Sequence, residues 1–319
     1  MDKKMKKVLV TGGFGRVGSV VVPMLLESGY SVRVLDVKQN QNAPYFSKVE
    51  VAIGSLTDGR FVANAMEGID IVCHLAALFP PLFFEEQPII EVNVLGTFNI
   101  LQAMKNAQIG RIVFASTDAT YATGASLDAY DRPLTEDTVQ WPSNVYGVTK
   151  VVNEVSIQKY ARMFGISYVI LRFFWSMRAD EMIRLMFEAN MYMDDIVEED
   201  KAGITPDTIV SLCLENGEPF YDHITDFRDI GRGVFTAIQR EDVQNEIFNI
   251  AAADRVDYAK EAPRIARALG RPYRKVRIKG MHNYEADITK ARRILGFEPM
   301  YDMTGMVDAA IAAAEKKQP

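Results

Sequence analysis

Residues that bind metals or form disulfides are scarce: the 319-residue chain has two cysteines and three histidines. Cys73 and Cys213 cannot build a disulfide framework, and with His74, His223 and His282 scattered they offer no metal-ligand spacing. Both cysteines are expected to be buried thiols in a reducing compartment. A strong charge of either sign is also lacking. The 36 Lys+Arg against 42 Asp+Glu leave a net charge of −6, which gives no electrostatic footprint for nucleic acid or an anionic membrane. No apolar run reaches the ~18–20 residues of a membrane span. The most apolar stretch, 69–84, is broken by Asp70, His74 and Pro80-Pro81. The basic start is followed by only Val8-Leu9-Val10 before Thr11-Gly12-Gly13, too short for a signal-peptide core, so a cytoplasmic protein is expected. Glycine and proline, 21 and 13, are too few for a linker or collagen, and 48% hydrophobic residues exclude a disordered chain. The length allows one large domain or two joined ones.

What is present is an alternation of short apolar runs and helical patterns. Segments 7–11, 31–36, 49–54, 69–75, 111–116 and 167–174 read as strands, with helices at 15–28, 58–66, 89–107 and 145–164. Strands that are apolar throughout, separated by helices, predict an α/β fold with a parallel sheet covered on both faces. After Phe174 the rhythm changes. Helical patterns at 179–190 and 206–216 surround the acidic residues Asp194, Asp195, Glu198, Glu199 and Asp200, and five methionines fall between Met177 and Met193. The Met-rich face is either packed core or a mobile lid over an apolar pocket. Helices are expected at 226–240, 258–269, 290–295 and 306–316, a strand at 246–250, and a frayed tail at Gln318-Pro319.

Thr11-Gly12-Gly13-Phe14-Gly15-Arg16-Val17-Gly18 joins the first strand to the first helix. Spaced glycines (Gly12, Gly15, Gly18) let the backbone approach a pyrophosphate whose charge rests on the helix N-terminal amides. Asp36 ends the second strand, where a carboxylate accepts hydrogen bonds from the adenosine ribose. The same charge repels a 2′-phosphate, so NAD is expected over NADP, with Arg16 and Arg33 as the residues that would soften this preference. The fold expected is a Rossmann-type doubly wound parallel sheet with a smaller C-terminal substrate-binding region. Its cofactor domain spans 1–174, completed by 226–250, and the substrate region spans 175–225 and 251–319.

Tyr146-Gly147-Val148-Thr149-Lys150 sets a phenol and an ammonium four residues apart on one helix face. A neighbouring Lys⁺ and an oxidised nicotinamide favour the phenolate, lowering the tyrosine from its usual ~10. Tyr146 then suits a general acid/base for a secondary alcohol, with Lys150 also holding the nicotinamide ribose.

In sequence order, Thr11–Gly18, Asp36, His74-Leu75-Ala76-Ala77, Asn93-Val94-Leu95-Gly96-Thr97, Ala115-Ser116-Thr117 and Tyr146…Lys150 resemble the extended short-chain dehydrogenase/reductases, the family of NAD-dependent epimerases and dehydratases. Residues 283–299 are similar to a late segment of that family. The resemblance implies that Thr117 hydrogen-bonds the reacting oxygen, with Ser116 as substitute, and that Asn93 lies beside the site unless it only bonds the helix start. It also implies cofactor contacts from Phe14, Arg16, Val17, Ser55 and Leu56, from Leu75, Ala76 and Ala77, and from Ala115 and Phe173. A homodimer built on helices 89–107 and 145–164 is implied as well.

Departures from the family pattern bear on the substrate. The nucleotide-sugar dehydratases resemble Ser116-Thr117-Asp118 but continue with Glu where this chain has Ala119, so a 4,6-dehydration is poorly supported. Trp175 stands where the sugar-nucleotide epimerases usually carry Asn, and Ser176-Met177-Arg178 replaces a frequent Gly-Pro-Arg. Tyr221, not Arg, precedes Asp222, and Ser55 replaces an adenine-contacting Asp. The changes at Trp175, Ser176-Met177-Arg178 and Tyr221 together point away from a nucleoside-diphosphate sugar and towards a smaller or more apolar small-molecule substrate, whereas Ser55 is a local change with which NAD binding is still expected. Phe79, Tyr121 and Trp175 are either walls of its pocket or core aromatics. Asp118 and Arg178 are candidate substrate contacts, Arg178 otherwise being a solvated helix-start residue. His74, on an apolar strand, reads as a satisfied core histidine. The function expected is Tyr–Lys-assisted hydride transfer at a secondary alcohol of a sugar or sugar-like substrate. The alternatives are a dehydrogenase or reductase of a small non-nucleotide hydroxy compound, and a non-catalytic dinucleotide sensor.

Overall fold

In a computed structural model describing residues 5–79, 85–121 and 133–316, the runs 7–11, 31–36, 50–53, 71–74, 111–117 and 167–173 are the strands β1 to β6. Glu246–Ile250 adds a seventh strand, and the sheet order is Glu246–Ile250, β6, β5, β4, β1, β2, β3, with every pair parallel. The order reverses between β1 and β4, the switch point at which open α/β sheets bind ligands. The expected tail at Gln318-Pro319, and Pro80-Pro81, lie outside the described residues.

Alternate side chains of each strand enter opposite cores. Val8, Val10, Val32, Val34, Ile71, Cys73 and Val113 pack under helix α1 (Gly18–Glu27) and the helix Phe227–Gln239. Leu9, Leu35, Val72, Ile112 and Phe114 pack against α2 (Gly59–Ala65), α4 (Gly96–Ala107) and α5 (Val145–Phe164). All four residues of β4 and all seven of β5 are buried, as a sheet covered on both faces requires. Each large apolar side chain so buried contributes about 1.5–3 kcal/mol.

Between α3 (Glu86–Ile90) and α4 the chain makes one π turn, Glu91–Leu95, so the helix expected at 89–107 is continuous but carries an extra residue. α5 starts at Asn144, whose side chain accepts the Gly147 amide at 2.8 Å, and stops at Gly165 in the left-handed conformation.

The expectation of a helix over 206–216 is wrong. Ile209–Cys213 is a fully buried strand, parallel to Tyr273–Arg277, with the helix Tyr258–Leu269 between them in sequence. The second region therefore has a small βαβ unit of its own. The segment 179–190 begins as an α-helix at Ala179–Met182, then continues as a π turn and a 3-10 turn. Met177, Met182 and Met186 are buried with Phe187, Ile209 and Tyr258 in a second core, so the Met-rich face is packed interior. Ala291, Leu295 and Phe297 join the first core instead. Both cysteines are free and buried. Among the described residues, no helix is long and apolar enough to cross a membrane, and no cluster of His, Cys, Asp and Glu fits a metal ion.

Candidate active site

The glycine-rich turn lies at the switch point. Gly12 has φ +67°, and a Cβ there would stand 3.0 Å from the Ala76 backbone, so the turn and the segment after β4 close on each other only because this residue is glycine. Thr11 fixes the same approach, its hydroxyl oxygen accepting the Ala76 amide at 3.1 Å. The Gly15 amide donates to Gly12, and Gly18 opens α1, whose N-terminus has no side-chain cap, the Ser19 and Val20 amides being taken by the carbonyls of Gly15 and Val17. Asp36 accepts the amides of Phe14 (3.1 Å) and Val37 (2.8 Å), tying its carboxylate to the turn. These features fit a dinucleotide.

Several expected cofactor residues have their side chains engaged in packing or in other bonds. Phe14 stacks on Tyr45, and Val17 and Leu75 pack on the first core. Leu56 is buried in the core under α4, and Ser55 bonds Thr57. Ala76 and Ala77 are half-buried in the segment facing the turn, and Phe173 ends β6 against the first core. Neither arginine invoked for a 2′-phosphate faces Asp36. Arg33 grips Glu50 and two carbonyls, and Arg16 donates to the Ser176 carbonyl and pairs with Glu181 at 2.8 Å.

His74 is a satisfied core histidine, as expected. Thr97 donates to the Asn93 carbonyl at 2.6 Å, so its oxygen receives His74 Nε2–H, and His74 Nδ1 accepts the Thr11 hydroxyl at 2.7 Å. Burial, helped by the charge of Lys150, pushes this imidazole down to about 3, so it stays neutral. Asn93 spends its amide on Leu78 and Thr149: Oδ1 accepts the Leu78 amide at 2.7 Å, and Nδ2 donates to the Leu78 carbonyl and the Thr149 hydroxyl. It positions the 75–79 segment against α5 and is a positioning residue.

α5 docks its first turn directly on the turn that follows β5. A Cβ on Gly147 would fall 2.1 Å from the Ala119 carbonyl oxygen, so Tyr146 is carried up to Thr117 and Asp118 by a backbone contact that admits no side chain. Phe79 meets the Tyr146 ring edge-on at 5.1 Å and is otherwise exposed. Lys150 is buried, donates to the Ala115 carbonyl at 2.7 Å and lies over the rings of Phe114 and Tyr146. Burial brings it down to about 7, and Glu154 one turn later opposes this. The phenol departs from the expected depression. Burial and the nearby Asp118 push Tyr146 above its ordinary range, with the hydrogen-bonding contact to Thr117 acting the other way.

Sequence reasoning missed the frame around this pair. Glu154 receives Ser116 and the half-buried Gln140 and a two-pronged bond from Arg172 at 3.1 and 2.7 Å, with Glu154, Ser116 and Arg172 all deeply buried. Arg172 also donates to Tyr121, which donates to Asn249, so Tyr121 is a fully buried frame residue and not a pocket wall. Asp118 is buried, and burial and the charge of Asp222 carry it up to about 7, against the hydrogen bond it receives from Thr117. Asp222 accepts the hydroxyl of Tyr284 at 2.7 Å. The local hint of such partners was a lone charge inside an apolar segment, as Arg172 is between Leu171 and Phe173.

Trp175 is exposed, with φ +27°, a strained backbone for a bulky residue. Arg178 is also exposed, pairs with Asp180 at 3.0 Å and faces Phe227, as a solvated helix-start arginine would. A cavity of about 410 Å³ opens beside the region, lined by Tyr221, His223, Arg255 and Glu285 among others, with Arg255 stacked on Tyr221 at 4.6 Å.

The model of the NAD-dependent epimerase/dehydratase family matches residues 8–251. A UDP-glucose 4-epimerase of Lactobacillus helveticus is 30% identical, covering 97% of this chain and 96% of its own. An L-arabinose 1-dehydrogenase (NAD(P)(+)) of Haloferax volcanii is 32% identical over 58% of this chain and 72% of its own. A crystal structure of a short-chain dehydrogenase/reductase superfamily protein from Agrobacterium tumefaciens with bound NAD superposes with a TM-score of 0.85, at 29% identity and 98% coverage of both chains. With the glycine-rich turn at the switch point and the Tyr146–Lys150 helix docked beside it, the chain belongs to the NAD-dependent epimerase/dehydratase family, the extended short-chain dehydrogenase/reductase enzymes.

Proposed function

We propose that this enzyme moves a hydride at a secondary alcohol of a sugar or sugar-like substrate, with the outcome of an epimerase. The body built on 1–174 and 226–250 holds the cofactor, and 175–225 with 251–319 hold the substrate. NAD, when bound, supplies the hydride acceptor and donor. Asp36 and the amides of the glycine-rich turn hold its adenosine and pyrophosphate ends, and Lys150 its nicotinamide ribose. Thr117 orients the substrate hydroxyl, and Tyr146 takes its proton and later returns it. The raised phenol is a resting state suited to donating. Accepting a proton requires the added positive charge of the oxidised cofactor beside Lys150.

The observation that carries this reading is the docking of α5 on β5, which brings Tyr146, Thr117 and Lys150 together with the glycine-rich turn nearby. Ala119, where the dehydratases carry Glu, argues against an elimination. The epimerase outcome is favoured by the full-length likeness to a UDP-glucose 4-epimerase. A second reading, a dehydrogenase of a small free hydroxy compound, is favoured by Trp175 and by Tyr221 in place of an arginine. Cofactor retention separates the two: an epimerase keeps NAD through gel filtration, whereas a dehydrogenase exchanges it. Tyr146→Phe is expected to lower turnover by about 10²-fold or more while NAD binding, measured by calorimetry, stays intact. Unchanged turnover would remove Tyr146 from the mechanism.

We also propose a homodimer. Val148, Val152 and Val155 on α5 and Ile90, Leu95 and Phe98 along α3–α4 are 40 to 48% exposed and form apolar stripes on two neighbouring helices.

A further inference from the structure

The cavity beside the site takes no part in the proton transfer, and it holds a buried donor with nothing to bond. His223 lines it and is 3% exposed. Its Nε2 accepts the Ala286 amide at 3.1 Å, and since an amide only donates, Nε2 carries no hydrogen. The ring is therefore neutral with its hydrogen on Nδ1, and Nδ1 has no partner among the described residues. Burial, helped by the charge of Arg255, brings His223 down to about 4, in keeping with a neutral ring. A buried N–H without an acceptor is costly, and a ligand oxygen removes that cost.

Arg255 is a second unspent donor. Its guanidinium lies over the Tyr221 ring at 4.6 Å and makes no hydrogen bond or ion pair among the described residues, although Asp254, Asp257 and Glu285 line the same cavity. Two of these acids are turned to helix starts: Asp254 accepts the Met303 amide at 3.2 Å, and Asp257 the Lys260 amide at 3.1 Å. Val256–Asp257 runs antiparallel to Tyr221–Asp222, which fixes the two walls against each other. Phe173 stands opposite Thr117 in the β5–β6 register, and the ring of Phe174, the next residue, meets His223 edge-on at 6.2 Å. His223 thus lies off the C-terminal ends of β5 and β6, where Thr117 also stands.

A volume of about 410 Å³ suits a small molecule, and the lining decides its chemistry. Donors and carboxylate acceptors share one space, and a hydroxyl accepts from the first and donates to the second. One guanidinium against three carboxylates gives a free anion no net attraction. An apolar group would leave all of them unpaired.

We infer that this cavity is a hydroxyl-binding subsite for the substrate, in which His223 Nδ1–H and Arg255 donate to sugar oxygens and the flanking carboxylates accept sugar hydroxyls. This rests on the sugar reading proposed above and deepens it, by placing the part of the substrate that does not react.

The test uses the full chain carrying Tyr146→Phe and loaded with NAD, so that binding is read without turnover. Nitrogen–proton NMR of the three histidine rings reads the site directly. His223 is expected in the Nδ1–H form and His74 in the Nε2–H form, with His282 identified by its loss in His282→Gln. An Nε2–H form at His223 overturns the inference. Glucose, galactose and UDP-glucose are then added in turn, with UDP and inorganic phosphate as anion controls, and binding is followed in parallel by calorimetry. At least one sugar is expected to move the His223 Nδ1–H signal to saturation. Arg255→Ala, at an exposed position, is expected to raise the dissociation constant of that sugar by about tenfold or more. A signal moved by UDP or phosphate, or an affinity unchanged in Arg255→Ala, overturns the inference. A sugar that binds by calorimetry without moving His223 overturns it too and leaves the function standing. Binding of no sugar overturns the sugar reading and this inference with it.

Discussion

Asp36 shows how a single charge is placed by its neighbours. Both of its oxygens accept backbone amides, and the arginines nearest in sequence are turned away, Arg33 onto Glu50 and Arg16 onto Glu181. A 2′-phosphate would meet an uncompensated carboxylate. Asp36→Asn is accordingly expected to raise the affinity for NADP relative to NAD by about tenfold, read as two calorimetric dissociation constants. Asp118 bears on stability too. Its acid form is favoured in the folded chain, up to about 7 against 3.8 for an unhindered carboxyl, so the unfolded chain releases this proton first. The stabilisation it gives is complete below pH 4 and is lost as pH climbs towards 7. The melting temperature of Asp118→Asn, relative to the unaltered protein, should rise across pH 4 to 7 and then level off. A difference that is flat with pH would mean that the carboxyl is already ionised in the fold.

At the scale of elements, α5 was legible and Ile209–Cys213 was not. Asn144 and Gly165 announce the two ends of α5, and its interior has no proline, so 145–164 was read to the residue. Ile209–Cys213 is a five-residue buried run next to Pro206, and a short run buried on both sides carries no period to separate strand from helix. Its partner, Tyr273–Arg277, is largely polar because one side of it faces water. The site divides the same way. The glycine turn and Tyr146–Lys150 were legible from spacing, since their chemistry is local. Glu154 with Arg172, Ser116 with Glu154, and Asp222 with Tyr284 were not, because their partners lie 18, 38 and 62 positions apart. Gly147 also belongs here. Alanine ordinarily improves a helix over glycine by about 1 kcal/mol, yet here its Cβ would strike the Ala119 carbonyl. Gly147→Ala is expected to destabilise the protein by roughly 1–3 kcal/mol in urea titrations, as overpacking does, and to lower turnover by displacing Tyr146.

For the whole molecule, the apolar stripes on α4 and α5 are too extended for isolated surface residues. Val152→Glu together with Phe98→Asp is expected to convert a dimer into a monomer in light scattering after gel filtration, leaving the melting profile cooperative. A mass unchanged by these substitutions would remove the proposed interface. The order of the sheet also has a bearing on how the chain is made. β6 gets its outer neighbour only when Glu246–Ile250 arrives, after the detour through the second core. Until then Ser167–Phe173 is a naked sheet edge with unpaired amides and carbonyls, the kind of template on which chains stick to one another. The pairing of Glu246–Ile250 with β6 is what closes that edge.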